Sequence, residues 1–173
     1  MLDALDAMLD GRVAILVTIG YHVRSASALW ERWHGDTPVT IHGPPQAARR
    51  LTGGAAAAFE ELEPGTPGPA GVEAFPIGRP RRGERPLWLP SHVSLAFGEA
   101  VVSTPGGELR MWVHEPVDER QRAFYRDRFA PTLEPLLDLP VKRVLVTHGA
   151  PVVKGGAAAL RDAIRKRPWY PRG

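Results

Sequence analysis

A single histidine stands at the end of an apolar run in the segment Val144-Leu-Val-Thr-His-Gly-Ala-Pro151. The apolar residues 144–146 predict a buried strand, and the Gly and Pro that follow His148 predict a turn. An imidazole at the end of a strand can bind a metal ion or act as a general base near neutral pH. It can also form a hydrogen bond to the turn that contains Gly149. The residue types leave both roles open for His148.

A second segment with chemical potential is the loop Ile19-Gly-Tyr-His-Val-Arg-Ser25, which follows the apolar run 13–18. Gly20 permits a tight backbone path, and Ser25 or Ser27 can cap the helix that we expect next. We therefore predict a strand-loop-helix unit with His22 in its loop. That histidine is either a partly exposed loop residue or a metal ligand.

Polar and aromatic residues in the middle of the chain have two interpretations each. His114 and Glu115 follow a predicted strand and can line a cleft or lie on its rim. Trp112 can pack against a sheet or support a substrate. The arginine cluster at 79–85 is a solvated loop in one interpretation and a binding surface for an anionic substrate in the other.

The elements that must position these residues alternate between strand and helix at both ends of the chain and are mainly strands in its middle. Hydrophobic spacing and turn residues predict helices at about 2–10, 26–33, 44–51, 118–129, 132–137 and 155–166. They predict strands at 13–18, 38–43, 72–77, 86–90, 92–97, 109–113 and 144–146. The first two strands are expected to be parallel because a helix connects them. The strands of the middle are expected to form an antiparallel meander.

The length of 173 residues suits one domain, which we predict to span residues 1–173. Segment 52–71 is rich in Gly, Ala, Pro and Glu and predicts a surface connection with one helical turn at about 55–62. Segment 167–173 predicts a basic tail.

Composition excludes several function classes. The net charge is +3, and no nucleic-acid reading motif accompanies the basic residues, so we expect no nucleic-acid partner. The chain has no cysteine, which excludes disulfides and thiolate metal sites. No apolar run approaches the roughly 20 residues that span a bilayer, and the N-terminus lacks signal-peptide features. We expect a cytoplasmic protein without membrane contact.

The order of these elements, with Phe97-Gly98-Glu99 at the end of the meander and Thr147-His148-Gly149 after the closing strand, resembles the metallo-β-lactamase superfamily. The resemblance is to a divergent bacterial branch and covers roughly residues 12–166. It implies an α/β fold, a four-layer αββα sandwich that lacks the first N-terminal strands. An apolar sheet edge left uncovered in this way would favour a homodimer.

The resemblance also implies a degenerate zinc site. Members of the superfamily hold zinc with a His-x-His-x-Asp-His loop, a later His, an Asp after Gly and a final His-Gly, because imidazole and carboxylate groups suit zinc. The matching positions of this chain are Ile19, Tyr21, Val23, Arg24, Pro80, Glu99 and His148. Glu99 and His148 keep side chains that can coordinate a metal.

The implied function is a hydrolase-like protein with weak or no zinc-dependent hydrolysis and no resident cofactor. If it is active, Glu99 or His148 is the expected base and Arg24 the expected oxyanion stabiliser. A residual zinc ion would be held by His148, Glu99 and His22, whereas an Arg24 guanidinium facing Glu99 would replace the metal electrostatically. The alternative is a non-catalytic binding module that uses the former active-site cleft for a small anion or a protein partner.

Overall fold

The computed structural model describes residues 2–116 and 118–171. Residues 172 and 173 of the predicted basic tail lie outside this range. The chain divides into two compact units, one that ends at Glu63 and one that begins at Pro64. Each has its own hydrophobic core, and the single domain predicted from length stays a prediction. No helix in the described part is long and apolar enough to cross a membrane.

From residue 2 onward, where the description begins, the N-terminal unit is a small parallel sheet with four short helices. Its helices are α1 (Leu2–Asp6), α2 (Ala26–Trp33), α3 (Pro45–Ala48) and α4 (Gly53–Ala57), and its strands are β1 (Val13–Leu16), β2 (Val39–Gly43) and β3 (Phe59–Glu61). The sheet order is β1-β2-β3, and both pairs are parallel, as predicted for the first two strands. The predicted bounds of α2 are confirmed.

Strand β3 was not predicted. The alanine run before it suggested one helical turn at 55–62, but the helix ends at Ala57 and Phe59 pairs with Ile41 of β2. Phe59 packs against the core that contains Ile41 and Ala55, and this burial outweighs the helix propensity of the segment.

In the described residues of the C-terminal unit there are six strands and three α-helices. The strands are β4 (Glu73–Ala74), β5 (Leu87–Leu89), β6 (Ser94–Ala96), β7 (Val101–Ser103), β8 (Leu109–Met111) and β9 (Arg143–Leu145). The helices are α5 (Glu119–Phe124), α6 (Ala130–Leu133) and α7 (Gly156–Arg165), with a π-helical turn at Tyr125–Phe129 and 3-10 turns at Pro69–Gly71, Pro90–His92 and Glu134–Asp138.

The pairing of these strands corrects the predicted meander in one respect. β4, β5 and β6 are antiparallel neighbours as expected, and β9 lies parallel to β6. β8, however, pairs with β7, which was not predicted, and forms a separate two-stranded ladder. The chain turns at 98–100 after β6, so residues 101–103 form a new strand in a stretch for which no strand was predicted.

In the core of the C-terminal unit, α7 and the segment around Phe129 pack against the strands. Leu160 of α7, Leu95 of β6 and Val144 of β9 are fully buried, and Phe129 joins the same cluster. Each such side chain contributes about 1.5–3 kcal/mol through burial. The packed core therefore fixes β6 and β9 side by side, which determines where the residues after them lie.

Candidate functional site

The parallel strands β6 and β9 bring Glu99 and His148 together. Ala96 and Leu145, the last residues of these strands, are direct partners in the sheet, and each is followed three residues later by one of the two site residues. Parallel strands end at the same sheet edge, so the two side chains meet there. The Nε2 atom of His148 lies 3.2 Å from Oε1 of Glu99, a hydrogen bond in which the imidazole N–H donates to the carboxylate.

The residues beside His148 hold its backbone in place. Ser103 of β7 donates its N–H to the carbonyl of His148 at 2.9 Å, and the Thr147 hydroxyl donates to the carbonyl of Gly98. Gly149 has a φ of +81°, and a Cβ there would lie 2.3 Å from the Ser103 carbonyl oxygen. The glycine is required by both conformation and close approach. The hydrogen bond from Ser103 goes to the His148 backbone, whereas the imidazole is bonded to Glu99. The role of His148 as a base or a ligand stays a prediction.

Arg81 is the cation that lies against Glu99. It is 8% exposed, and its Nη1 atom lies 3.7 Å from Oε2 of Glu99 and 3.0 Å from Nε2 of His114. Its Nη2 atom donates weakly to the Trp112 carbonyl at 3.4 Å, and its Cζ lies 5.6 Å from the centre of the Trp112 ring. The solvated-loop interpretation of the arginine cluster is therefore wrong for this residue. Nothing in the sequence distinguishes Arg81 from Arg82, which is exposed.

Two imidazoles flank the indole of Trp112. Its ring centre lies 4.5 Å from that of His114 and 4.7 Å from that of His148, and both histidine side chains are about half exposed, at 58% and 47%. A guanidinium cannot accept a hydrogen bond, so Nε2 of His114 accepts from Arg81 and its proton resides on Nδ1. His114 therefore lies beside the site, and its two interpretations, cleft lining and rim, stay predictions.

Glu84 supports the backbone of the site and was missed by the sequence analysis. It is fully buried, and its two carboxylate oxygens accept the N–H groups of Gly98, Glu99 and Ala100, each at 2.8 Å. Burial raises the pKa of Glu84 to about 7, while these three N–H groups and the charge of Arg81 oppose the rise. A glutamate between Gly83 and Arg85 carries no pattern that predicts burial.

The other two predicted site residues belong to the N-terminal unit. His22 is partly buried in the loop between β1 and α2, donates its N–H to the Ile19 carbonyl at 3.0 Å, and contacts the Tyr21 ring edge-on at 4.9 Å. Arg24 is exposed just before Ser25, the residue that precedes α2. The roles predicted for His22 as a ligand and Arg24 as a stabiliser stay predictions.

The C-terminal unit, in the part that the structure describes, does not by itself fit a catalytic zinc ion. Such an ion takes three protein ligands about 2.0–2.2 Å away. Glu99 and His148 can offer one atom each, but the third nearby candidate, Nε2 of His114, accepts a hydrogen bond from Arg81. The permanent charge of that guanidinium lies where a cation would approach Oε2 of Glu99.

Comparison with known proteins identifies the fold. The chemotaxis sensor ODP from T. denticola in its apo state is similar over 96% of this chain and 73% of its own, with a TM-score of 0.61 and 14% sequence identity. A metallo-β-lactamase from Pontibacter korlensis is similar over 89% of this chain and 70% of its own, with a TM-score of 0.54 and 16% identity.

The DIM-1 metallo-β-lactamase is similar over 87% of this chain and 66% of its own, with a TM-score of 0.53 and 16% identity. No family model and no curated protein matches the sequence. At these identities the likeness concerns the fold, and it confirms the predicted α/β class and the resemblance to metallo-β-lactamases. This chain has the metallo-β-lactamase fold.

Proposed function

We propose that this chain is a non-catalytic binding module of the metallo-β-lactamase fold, with a degenerate metal site and weak or no zinc-dependent hydrolysis. Its ligand is a small oxyanion that binds beside Trp112. The observation that carries the proposal is the buried guanidinium of Arg81, 3.7 Å from Oε2 of Glu99 and 3.0 Å from Nε2 of His114.

The charge of Arg81 changes what the carboxylate of Glu99 can do. Unit charges about 4 Å apart interact by about 4 kcal/mol at an effective dielectric of 20, so a divalent cation at that distance from the guanidinium is repelled by about twice as much. The same guanidinium neutralises Glu99 without a metal. The position is therefore better suited to an internal ion pair than to zinc.

Neutralisation of Glu99 by Arg81 removes a negative charge that would repel an anion from the neighbouring His114. Because Nε2 of His114 accepts from Arg81, its Nδ1–H points away from that contact, on a side chain that is more than half exposed. The half-exposed His148 lies on the other flank of Trp112. A carboxylate or phosphate group suits the Nδ1–H donor of His114. A chemotaxis sensor of the same fold is consistent with a binding role.

Metal analysis and titration calorimetry test this proposal together. We expect substoichiometric zinc after incubation with excess zinc and gel filtration, and no hydrolysis of a chromogenic β-lactam above the buffer rate. Inorganic phosphate or acetate should bind weakly to the native chain and lose detectable binding in His114→Phe, while His92→Phe serves as the matched control. Arg81→Met should gain zinc affinity because it removes the repelling charge. Stoichiometric zinc in the native chain that is lost in His148→Ala would overturn the proposal.

A second candidate, hydrolysis without a metal, is favoured by the hydrogen bond of 3.2 Å between His148 and Glu99. A carboxylate that orients an imidazole is an arrangement used for general-base catalysis. In this function His148 is the base and Glu99 orients it. Hydrolysis of an activated ester that persists in the presence of a chelator and disappears in His148→Ala would favour this candidate over the binding module.

A further inference from the structure

A fully buried carboxylate holds the loop between β6 and β7 in the C-terminal unit. The loop consists of Gly98, Glu99 and Ala100, and all three of its N–H groups donate to Glu84 at 2.8 Å. In a strand these N–H groups would have carbonyl partners; here one side chain replaces them. Three hydrogen bonds from consecutive amides to one side chain fix the backbone direction of the middle residue.

The turn that carries Glu84 also carries Arg81. The N–H of Glu84 donates to the carbonyl of Arg81 at 2.7 Å, and the N–H of Arg81 donates to the carbonyl of Gly78 at 3.0 Å. One short segment therefore contacts Glu99 twice, once at its backbone through Glu84 and once at its carboxylate through Arg81. With the backbone fixed, Oε1 of Glu99 is directed to His148 and Oε2 to Arg81.

We infer that Glu84 is a positioning residue for the site: it fixes the backbone of residues 98–100 so that Glu99 presents one oxygen to His148 and the other to Arg81. This inference deepens the proposed function, on which it rests for the use of the site. A purely structural role would stabilise the chain without controlling the contact between Glu99 and His148. The two roles differ in what happens to the imidazole when Glu84 is changed in a chain that still folds.

Nuclear magnetic resonance of the native chain and of Glu84→Gln separates these roles without any ligand. The glutamine has one acceptor oxygen, so it cannot satisfy all three N–H groups and places an NH₂ donor against at least one of them. We expect faster hydrogen exchange at Gly98, Glu99 and Ala100. We also expect the Nε2–H proton signal of His148 to be lost. Glu99→Ala is the reference for this loss, because it removes the carboxylate that accepts this proton's hydrogen bond. The exposed Glu73, changed to Gln, is the matched control and should leave both signals unchanged.

Each outcome decides the inference. Faster exchange at the three amides together with loss of the His148 signal supports a positioning role. Faster exchange with an unchanged His148 signal overturns it and leaves Glu84 a structural residue. If Glu84→Gln does not fold, Glu84→Asp is used, whose shorter side chain should weaken the same signals in the same direction; an unchanged His148 signal there also overturns the inference. Because no ligand takes part, failure of the anion-binding proposal leaves these signals unaffected.

Discussion

The Nη1 atom of Arg81 lies 3.7 Å from Oε2 of Glu99, with 8% and 4% of the two side chains exposed. A buried ion pair adds little net stability relative to apolar residues of the same size, but removal of one partner leaves the other charge buried without its counter-ion. We therefore expect a substitution of either residue alone to lower the stability of the chain, and a substitution of both residues together to lower it less.

Arg81→Met should lower the unfolding free energy by about 3–5 kcal/mol, because it leaves Glu99 charged and buried. Arg82→Met, at the adjacent residue with an exposed side chain, should change it by at most about 0.5 kcal/mol. The double variant Arg81→Met/Glu99→Gln should recover much of the loss. Urea unfolding of the four proteins checks this. Equal effects of the Arg81 and Arg82 substitutions would show that the buried pair has no energetic role.

The stability of the chain should fall as pH rises from about 4.5 to about 7 because of Glu84. Its pKa is about 7 in the folded chain and 4.5 for an ordinary glutamate, so in this range the folded state binds a proton that the unfolded state has released. This group then lowers the unfolding free energy by about 1.4 kcal/mol per pH unit, or roughly 3 kcal/mol in total. Urea unfolding at several pH values should show this slope in the native chain relative to Glu84→Gln. A difference that is flat with pH would mean that Glu84 ionises at its ordinary pKa.

The sequence predicted the pair of Glu99 and His148 but not its surroundings. His148 was identified because it ends an apolar run, and Glu99 because the segment around it resembles the metallo-β-lactamases. Both are properties of short stretches. The strands that carry them pair in parallel, so two local signals were enough to place both residues at one sheet edge.

Arg81 and Glu84 could not be predicted in the same way. Their burial depends on how the irregular turn from Gly78 to Glu84 folds against residues 98–100, and that contact joins segments about 15 residues apart without periodicity. Charged residues in a Gly- and Pro-rich loop are usually exposed, so composition pointed in the wrong direction. Strand β7 was not predicted for the same reason: its three residues directly follow the loop and are too few to show a periodic pattern.

Asp118→Ala should lower the unfolding free energy by about 1 kcal/mol, the usual loss for a helix N-cap. Asp118 accepts the N–H of Gln121 at 2.7 Å, and the Gln121 side chain accepts the N–H of Asp118 at 3.0 Å, which forms a capping box at the start of α5. Asp138→Ala, at an exposed aspartate that ends a 3-10 turn, is the control and should have a smaller effect. The prediction fails if thermal or urea unfolding finds the two substitutions equivalent.

Gly149→Ala should destabilise the chain more than Gly107→Ala, although the two glycines have nearly the same backbone conformation. Their φ angles are +81° and +80°, so alanine costs about 1–2 kcal/mol at either position. A Cβ at Gly107 meets no atom within 4 Å, whereas at Gly149 it lies 2.3 Å from the Ser103 carbonyl oxygen. Relief of that overlap should cost about 1–3 kcal/mol more. Relief of the overlap must also move the backbone that follows His148. Gly149→Ala should therefore weaken the Nε2–H signal of His148, whereas Gly107→Ala should preserve it. Equal unfolding free energies for the two variants would show that the turn after His148 adjusts without strain.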